Sequence, residues 1–208
     1  MSLKPATAPW VIKIGGSLLR TSKIRSWLPE LGVSGSILVP GGGTLADGIR
    51  QLQDVLDFDD RLAHELAIRT MALNAHLLQG LDPALPAATT LEGLKVRVRS
   101  GQSVLWCPEP RADFLKDLPA SWQVTSDSLA ITLAAALGLR KILLIKSVTP
   151  TTGRESLATA VGAGLIDTET PGLLRASPMS LYWTGPEAYP GLVRGLEDPV
   201  SWFTQLVP

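Results

Sequence analysis

A chain of 208 residues that is 45% hydrophobic can bury a sizeable core, enough for one α/β domain or two closely fused lobes. Nineteen Lys and Arg balance nineteen Asp and Glu, so no net field draws the chain to nucleic acid or to an anionic membrane, and any anion it binds is bound locally. Cys107 is the only cysteine and there are two histidines, which excludes an intrachain disulfide and argues against structural zinc. With no apolar run in Met1 to Pro9 and none of eighteen residues anywhere, the expectation is an untargeted protein of the reducing cytoplasm without a membrane span.

In chain order, Trp10 to Ile14 reads as a buried strand, followed by a short helix from Ser22 to Leu31 with Ile24, Trp27, Leu28 and Leu31 at helical spacing. Ile37 to Val39 is a second strand. Beyond Gly41 to Gly43, Leu45, Ile49, Leu52 and Leu56 mark an amphipathic helix, and Asp59 or Asp60 can cap a longer one carrying Leu62, Leu66, Met71, Leu73 and Leu77. Leu81 to Pro86 breaks that helix. Short strands are predicted around Lys95 to Val98 and Ser103 to Trp106, ahead of a connection rich in proline through Pro108 and Pro110.

The second half restarts at Val124-Thr125-Ser126-Asp127-Ser128, whose small polar residues suit the cap of a helix from Leu129 to Leu137 that Gly138 ends. Lys141 to Lys146 is apolar between its lysines, as befits a central parallel strand covered on both faces. A helix over Ala158 to Ile166, a strand over Met179 to Thr184 and a terminal helix over Pro199 to Leu206 complete the pattern. Alternating strands and helices predict a mostly parallel sheet that binds ligands at its strand carboxyl ends.

Two strands run straight into glycine turns, Val11-Ile-Lys-Ile-Gly-Gly-Ser17 and Ile37-Leu-Val-Pro-Gly-Gly-Gly43. Such turns present bare N–H groups where an α/β fold holds phosphate, and Lys13 adds a cation beside the first. Neither is a Walker loop or a dinucleotide turn. Taken together, Lys13 with Gly15, Gly16 and Ser17, the glycines 41–43, the Thr125 to Ser128 helix start and Lys146 at a strand end resemble the amino acid kinase superfamily. Further segments, Ala46-Asp47, Ala63 to Ile68 and Ser121 to Ser128, are similar to a group of short kinases of methanogens and methylotrophs. That group includes an enzyme converting [5-(aminomethyl)furan-3-yl]methyl phosphate to its diphosphate.

The resemblance implies a three-layer αβα sandwich, with an acceptor lobe over about residues 1–120 and an abbreviated nucleotide lobe over about 121–208. It also implies transfer from ATP with Mg²⁺ to a small phosphorylated acceptor, and a homodimer or higher oligomer, for which the leucine-rich helix from Leu62 to Leu78 offers a face. The implied catalytic residues are Lys13 and Asp127; Gly42, Gly43 and His64 match the acceptor side, and Gly15, Gly16, Ser17 and Lys146 the nucleotide side. No metal ligand is assigned. The two glycine turns are expected to grip opposite sides of one phosphoryl group.

Several residues keep two readings. Asp127 either organises lysines or Mg²⁺, or merely caps a helix. Lys146 either meets ATP phosphate or is a solvated end of a strand, and His64 either faces the acceptor phosphate or is a packed helix residue. His76 is given no role. Trp10, Trp27, Trp122, Trp183 and Trp202 read as core or interface, and Trp106 as core or the wall of an acceptor pocket. Cys107 has no His or basic neighbour in sequence to activate it. No lysine follows Lys146, so the later lysine of longer family members is absent, with Arg154 or Arg175 as substitutes. Rival readings are a kinase acting on carboxylates and a binding protein without catalysis.

Overall fold

Strands made only of apolar residues must be covered on both faces, and here each is. Val11, Ile37, Val39, Ile142 and Leu144 enter one core cluster, while Ile12, Ile14, Leu38, Leu143 and Ile145 enter another on the opposite face. The computed structural model describes residues 8–150 and 153–208. Its elements are β1 (Val11–Ile14), α1 (Ile24–Gly32), β2 (Ile37–Pro40), α2 (Gly43–Leu56), α3 (Asp60–Leu81), β3 (Ala87–Ala88), α4 (Leu91–Arg99), β4 (Val104–Trp106), α5 (Ser126–Leu137), β5 (Lys141–Ile145), β6 (Arg154–Ser156), α6 (Leu157–Gly162), α7 (Thr170–Ala176), β7 (Ser180–Thr184), α8 (Leu192–Glu197), α9 (Pro199–Trp202) and β8 (Thr204–Val207).

The described strands form one sheet in the order β3-β4-β2-β1-β5-β7-β8-β6. Every pairing is parallel except β7 with β8. Leu94 of α4, Leu129 and Leu133 of α5 and Ala160 of α6 cover one face; Trp27 and Leu28 of α1 with Leu192 and Leu196 of α8 cover the other. The result is the expected αβα sandwich, with β1 and β5 side by side at its centre. Among the described residues no helix is long and apolar enough to cross a membrane.

Two expectations fail. Lys95 to Val98 lies in α4, whose start is capped by Thr90 accepting from the Gly93 N–H at 3.1 Å. The alternation there imitates a strand, but Val96 is exposed, and the core-facing set is Leu91, Leu94 and Val98 at helical spacing. The terminal helix stops at Trp202, and Thr204–Val207 instead becomes β8 in the gap between β7 and β6. Strands β3 and β6 and helix α7 carry no periodic signal of their own and were not foreseen. Asp59, not Asp60, caps α3, accepting from the Leu62 N–H at 2.8 Å.

Candidate active site

The first glycine turn leaves β1 while still tied to the sheet, since the Gly15 N–H donates to Ile145 O on β5 at 2.9 Å. The second is tied in the same way by the Gly41 N–H to Ile14 O at 2.8 Å. The turns touch each other. A Cβ on Gly16 would lie 2.4 Å from both N and Cα of Gly43, and Gly43 itself has φ +55°. Only glycine permits that approach. The two turns thus form one joined backbone surface. Behind it, buried Asn74 of α3 donates to the carbonyls of Gly41 at 2.7 Å and Gly42 at 2.9 Å, and α2 starts at Gly43 within this surface.

Beside this surface lies a charge clamp. Asp127 is buried, with its Oδ1 3.1 Å from Lys13 Nζ and its Oδ2 2.6 Å from Lys146 Nζ. The register explains the meeting, because Lys13 is level with Leu144 and Lys146 follows the end of the adjacent β5. Thr125 is the helix cap, its Oγ1 accepting from the Asp127 N–H at 3.2 Å, so the Asp127 carboxylate is free to serve the lysines. Lys146 is not a solvated strand end, since its side chain is 12% exposed.

Burial raises the pKa of Asp127, but Lys13 and Lys146 outweigh it and hold the carboxyl below its ordinary value. Burial, then repulsion from Lys13, lowers Lys146 to about 8 against the pull of Asp127. Two lysines, one from β1 and one just past β5, thus share a single buried carboxylate.

Two cavities meet at Gly16. The smaller, about 150 Å³, is lined by Gly42, Gly43, Asp47, Arg50, His64 and Trp122, with an apolar floor that includes Ile68, Met71 and Leu129. The larger, about 810 Å³, holds Lys13, Gly15, Ser17, Lys146 and Arg154. Arg175 opens onto a separate apolar cleft, which leaves Arg154 as the arginine near the clamp.

The sequence reading missed Arg50, whose guanidinium lies 4.5 Å over the Trp122 ring, while Trp122 Nε1 donates to Gln53 Oε1 at 2.6 Å. Trp122 is a cavity wall, not core, and Trp202 is 46% exposed. Their only sequence signal was aromatic content. Trp106 is fully buried in the core.

His64 lines the small cavity half-buried; burial lowers its pKa against the Ser121 backbone hydrogen bond and Glu65, so the imidazole is neutral near pH 7. Cys107 does have a histidine beside it, His76 Nε2 at 3.5 Å from Sγ, a neighbour created by packing α3 against β4. Burial and then Glu109 nevertheless push the thiol pKa up, away from nucleophilic use. No group of three or more His, Cys, Asp and Glu side chains among the described residues could hold a metal ion.

A model of the amino acid kinase family matches residues 8–149. The [5-(aminomethyl)furan-3-yl]methyl phosphate kinase of Methanocaldococcus jannaschii is 27% identical over 143 residues, covering 66% of this chain and 65% of that enzyme, which is less than two thirds of its length. Among solved structures, uridylate kinase from Archaeoglobus fulgidus superposes with a TM-score of 0.67 at 19% identity over 95% of this chain and 98% of its own. UMP kinase from Bacillus anthracis gives 0.71 at 16% identity over 96% and 95%. With the matched region holding both glycine turns, Lys13, Asp127 and Lys146, the chain belongs to the amino acid kinase family.

Proposed function

We propose that this protein transfers the γ-phosphoryl group of ATP to a small phosphomonoester, and that the acceptor is [5-(aminomethyl)furan-3-yl]methyl phosphate, yielding its diphosphate. The observation that carries the reading is the Lys13–Asp127–Lys146 clamp beside two touching glycine turns, with one cavity on each side. The larger cavity takes the triphosphate against Lys13, Gly15, Ser17 and Lys146. The smaller takes the acceptor, its ring on the floor of Ile68, Met71 and Leu129, its phosphate toward Gly42, Gly43, His64 and Arg50. Mg²⁺ would be held by the phosphates of the nucleotide, where it would neutralise their charge, since both Asp127 oxygens face ammonium groups.

Phosphoryl transfer asks for alignment and neutralisation more than for covalent help. An acceptor phosphate oxygen attacks the γ-phosphorus in line, the bond to the bridging oxygen of the β-phosphate breaks, and ADP leaves. Lys13 and Lys146 spread their charge over the moving group, and the N–H groups of the joined turns add hydrogen bonds without reorganisation. Asp127 fixes the lysines and offsets their mutual repulsion before the nucleotide arrives. Two lysines held on one carboxylate at the junction of the two cavities favour catalysis over the rival reading of a binding protein.

The test is ADP release with a panel of acceptors: the phosphorylated furan, UMP, and small amino acids whose carboxylates could be phosphorylated. Turnover only with the furan phosphate supports the assignment. Turnover only with a carboxylate transfers it to the rival kinase class, and ATP binding with no turnover on any acceptor refutes the kinase reading.

A further inference from the structure

Outside the clamp, the most heavily hydrogen-bonded carboxylate is Asp167, in the connection before α7 and only 9% exposed. Its Oδ1 accepts from Ser128 Oγ at 2.7 Å, the Thr170 N–H at 2.9 Å and Thr170 Oγ1 at 2.8 Å. Its Oδ2 accepts from the Thr125 N–H at 2.9 Å, Thr125 Oγ1 at 2.8 Å and the Ser128 N–H at 3.1 Å. Four of these six donors belong to Thr125 and Ser128, which flank Asp127 at the start of α5. A helix start needs one such partner for a cap; six converging donors fix both the backbone and the side chains around it. Thr125 Oγ1 also accepts from the Asp127 N–H, so an unbroken path runs from Asp167 through Thr125 to Asp127 and the two lysines.

Charge gives a second, independent link. Lys146 faces Lys13 from β1, Asp127 from α5 and Asp167 from the connection before α7, and shares its cavity with Arg154 and Glu155 of β6. Lys13 opposes its ammonium form; Asp127 and, more weakly, Asp167 favour it. Asp167 therefore acts on Lys146 through space as well as on Asp127 through hydrogen bonds.

We propose that Asp167 is a positioning residue for phosphoryl transfer, holding the start of α5 so that one Asp127 carboxylate meets both lysines, and adding a second negative charge near Lys146 before nucleotide binds. The proposal rests on the kinase reading for its consequence, but not for its structural content. A carboxylate that merely joined α5 to α7 would affect stability alone.

Asp167→Asn tests it, since the amide keeps the size, removes the charge and turns an NH₂ group toward donors. The expected result is a fall in kcat of about 10- to 100-fold, the scale of a misaligned reaction centre. The basic limb of kcat/KM for ATP moves to lower pH, and KM for the acceptor stays within about twofold. Thr170→Val is the control: it removes one donor on the α7 side and should lower Tm while leaving kcat and the pH profile unchanged. If Asp167→Asn does not fold, Thr125→Val cuts the hydroxyl path to Asp127 and should lower kcat at saturating acceptor.

NMR titration of lysines labelled at Cε follows Lys146 without any substrate, and its midpoint should drop in Asp167→Asn. Where the wild type turns over no acceptor, that titration still decides the matter, so failure of the kinase reading and failure of this one are told apart. Wild-type kcat and pH profile in Asp167→Asn, an unmoved Lys146 midpoint, or a Thr170→Val variant with the same catalytic defect would overturn the proposal.

Discussion

Gly16→Ala probes the joined glycine turns directly. The added Cβ would stand 2.4 Å from backbone N and Cα of Gly43, whereas carbon atoms pack at about 3.5–4.0 Å. Neither atom belongs to a side chain that could rotate away, so the turns must part by more than about 1 Å. Overpacking of this kind costs about 1–3 kcal/mol, which for a chain of this size lowers Tm by roughly 2–12 °C. The catalytic cost is larger in proportion, because a misplacement of about 1 Å at a reaction centre costs about 100-fold in rate. Gly48→Ala is the matched control: Gly48 lies in α2 with nothing within 4 Å of its added Cβ. It should gain about 0.5–1 kcal/mol from the better helix former and turn over normally. ADP release at saturating acceptor, alongside thermal melts, reads both effects. A folded Gly16→Ala enzyme within about threefold of wild-type kcat would refute the reasoning that this contact aligns the reacting groups.

Asp127→Asn should leave two buried ammonium groups without the carboxylate they share, costing about 3–5 kcal/mol in a urea melt and abolishing measurable ADP release; near-normal turnover would remove the clamp from the mechanism. Because Lys146 has a folded pKa of about 8 against 10.5 in the unfolded chain, the unfolded state binds more protons between those values, so this lysine makes stability rise with pH across that window. Stability of the wild type minus that of Lys146→Met should accordingly grow by about 3 kcal/mol from pH 8 to 10.5, and a flat difference would contradict the burial argument. Asn74→Ala should leave two turn carbonyls without donors and lower stability by about 1–3 kcal/mol by thermal melt, with KM for the acceptor rising. Arg50→Met should raise acceptor KM about 10- to 100-fold with a smaller change in kcat; an unchanged KM would take Arg50 out of the acceptor site.

Much of the site was legible because its parts lie at strand ends, where sequence and geometry are tightly coupled. An apolar strand followed by glycine brings Gly15, Gly16, Gly42 and Gly43 to one edge of the sheet whatever the rest of the chain does. Lys13 was visible as the one cation within a buried strand, and Lys146 as a cation just past the end of another. Their shared partner was not, because a helix cap and a lysine organiser have the same small polar signature at Thr125 to Ser128; only the cap bond from Thr125 separates the two readings. Asn74 was hidden as a polar residue within an apolar helix stripe. Arg50 and Trp122 lie 72 positions apart in number (122 minus 50) and become one wall only when the connection before α5 folds back on α2. Asp167 lay in a stretch with no periodicity at all.

The sequence by itself determined the α/β class, the central parallel strands and the order of the two glycine turns, because hydrophobic period and glycine placement are local physics; the three-layer sandwich came from the family resemblance. Tertiary structure decided what those pieces do together. It joined the turns at Gly16 and Gly43, brought Lys13 and Lys146 onto Asp127, made β8 from a segment expected to continue a helix, and tied Asp167 to the start of α5. Each of these depends on contacts between residues far apart in the chain, where strand register and packing choose the partner and no local pattern records it.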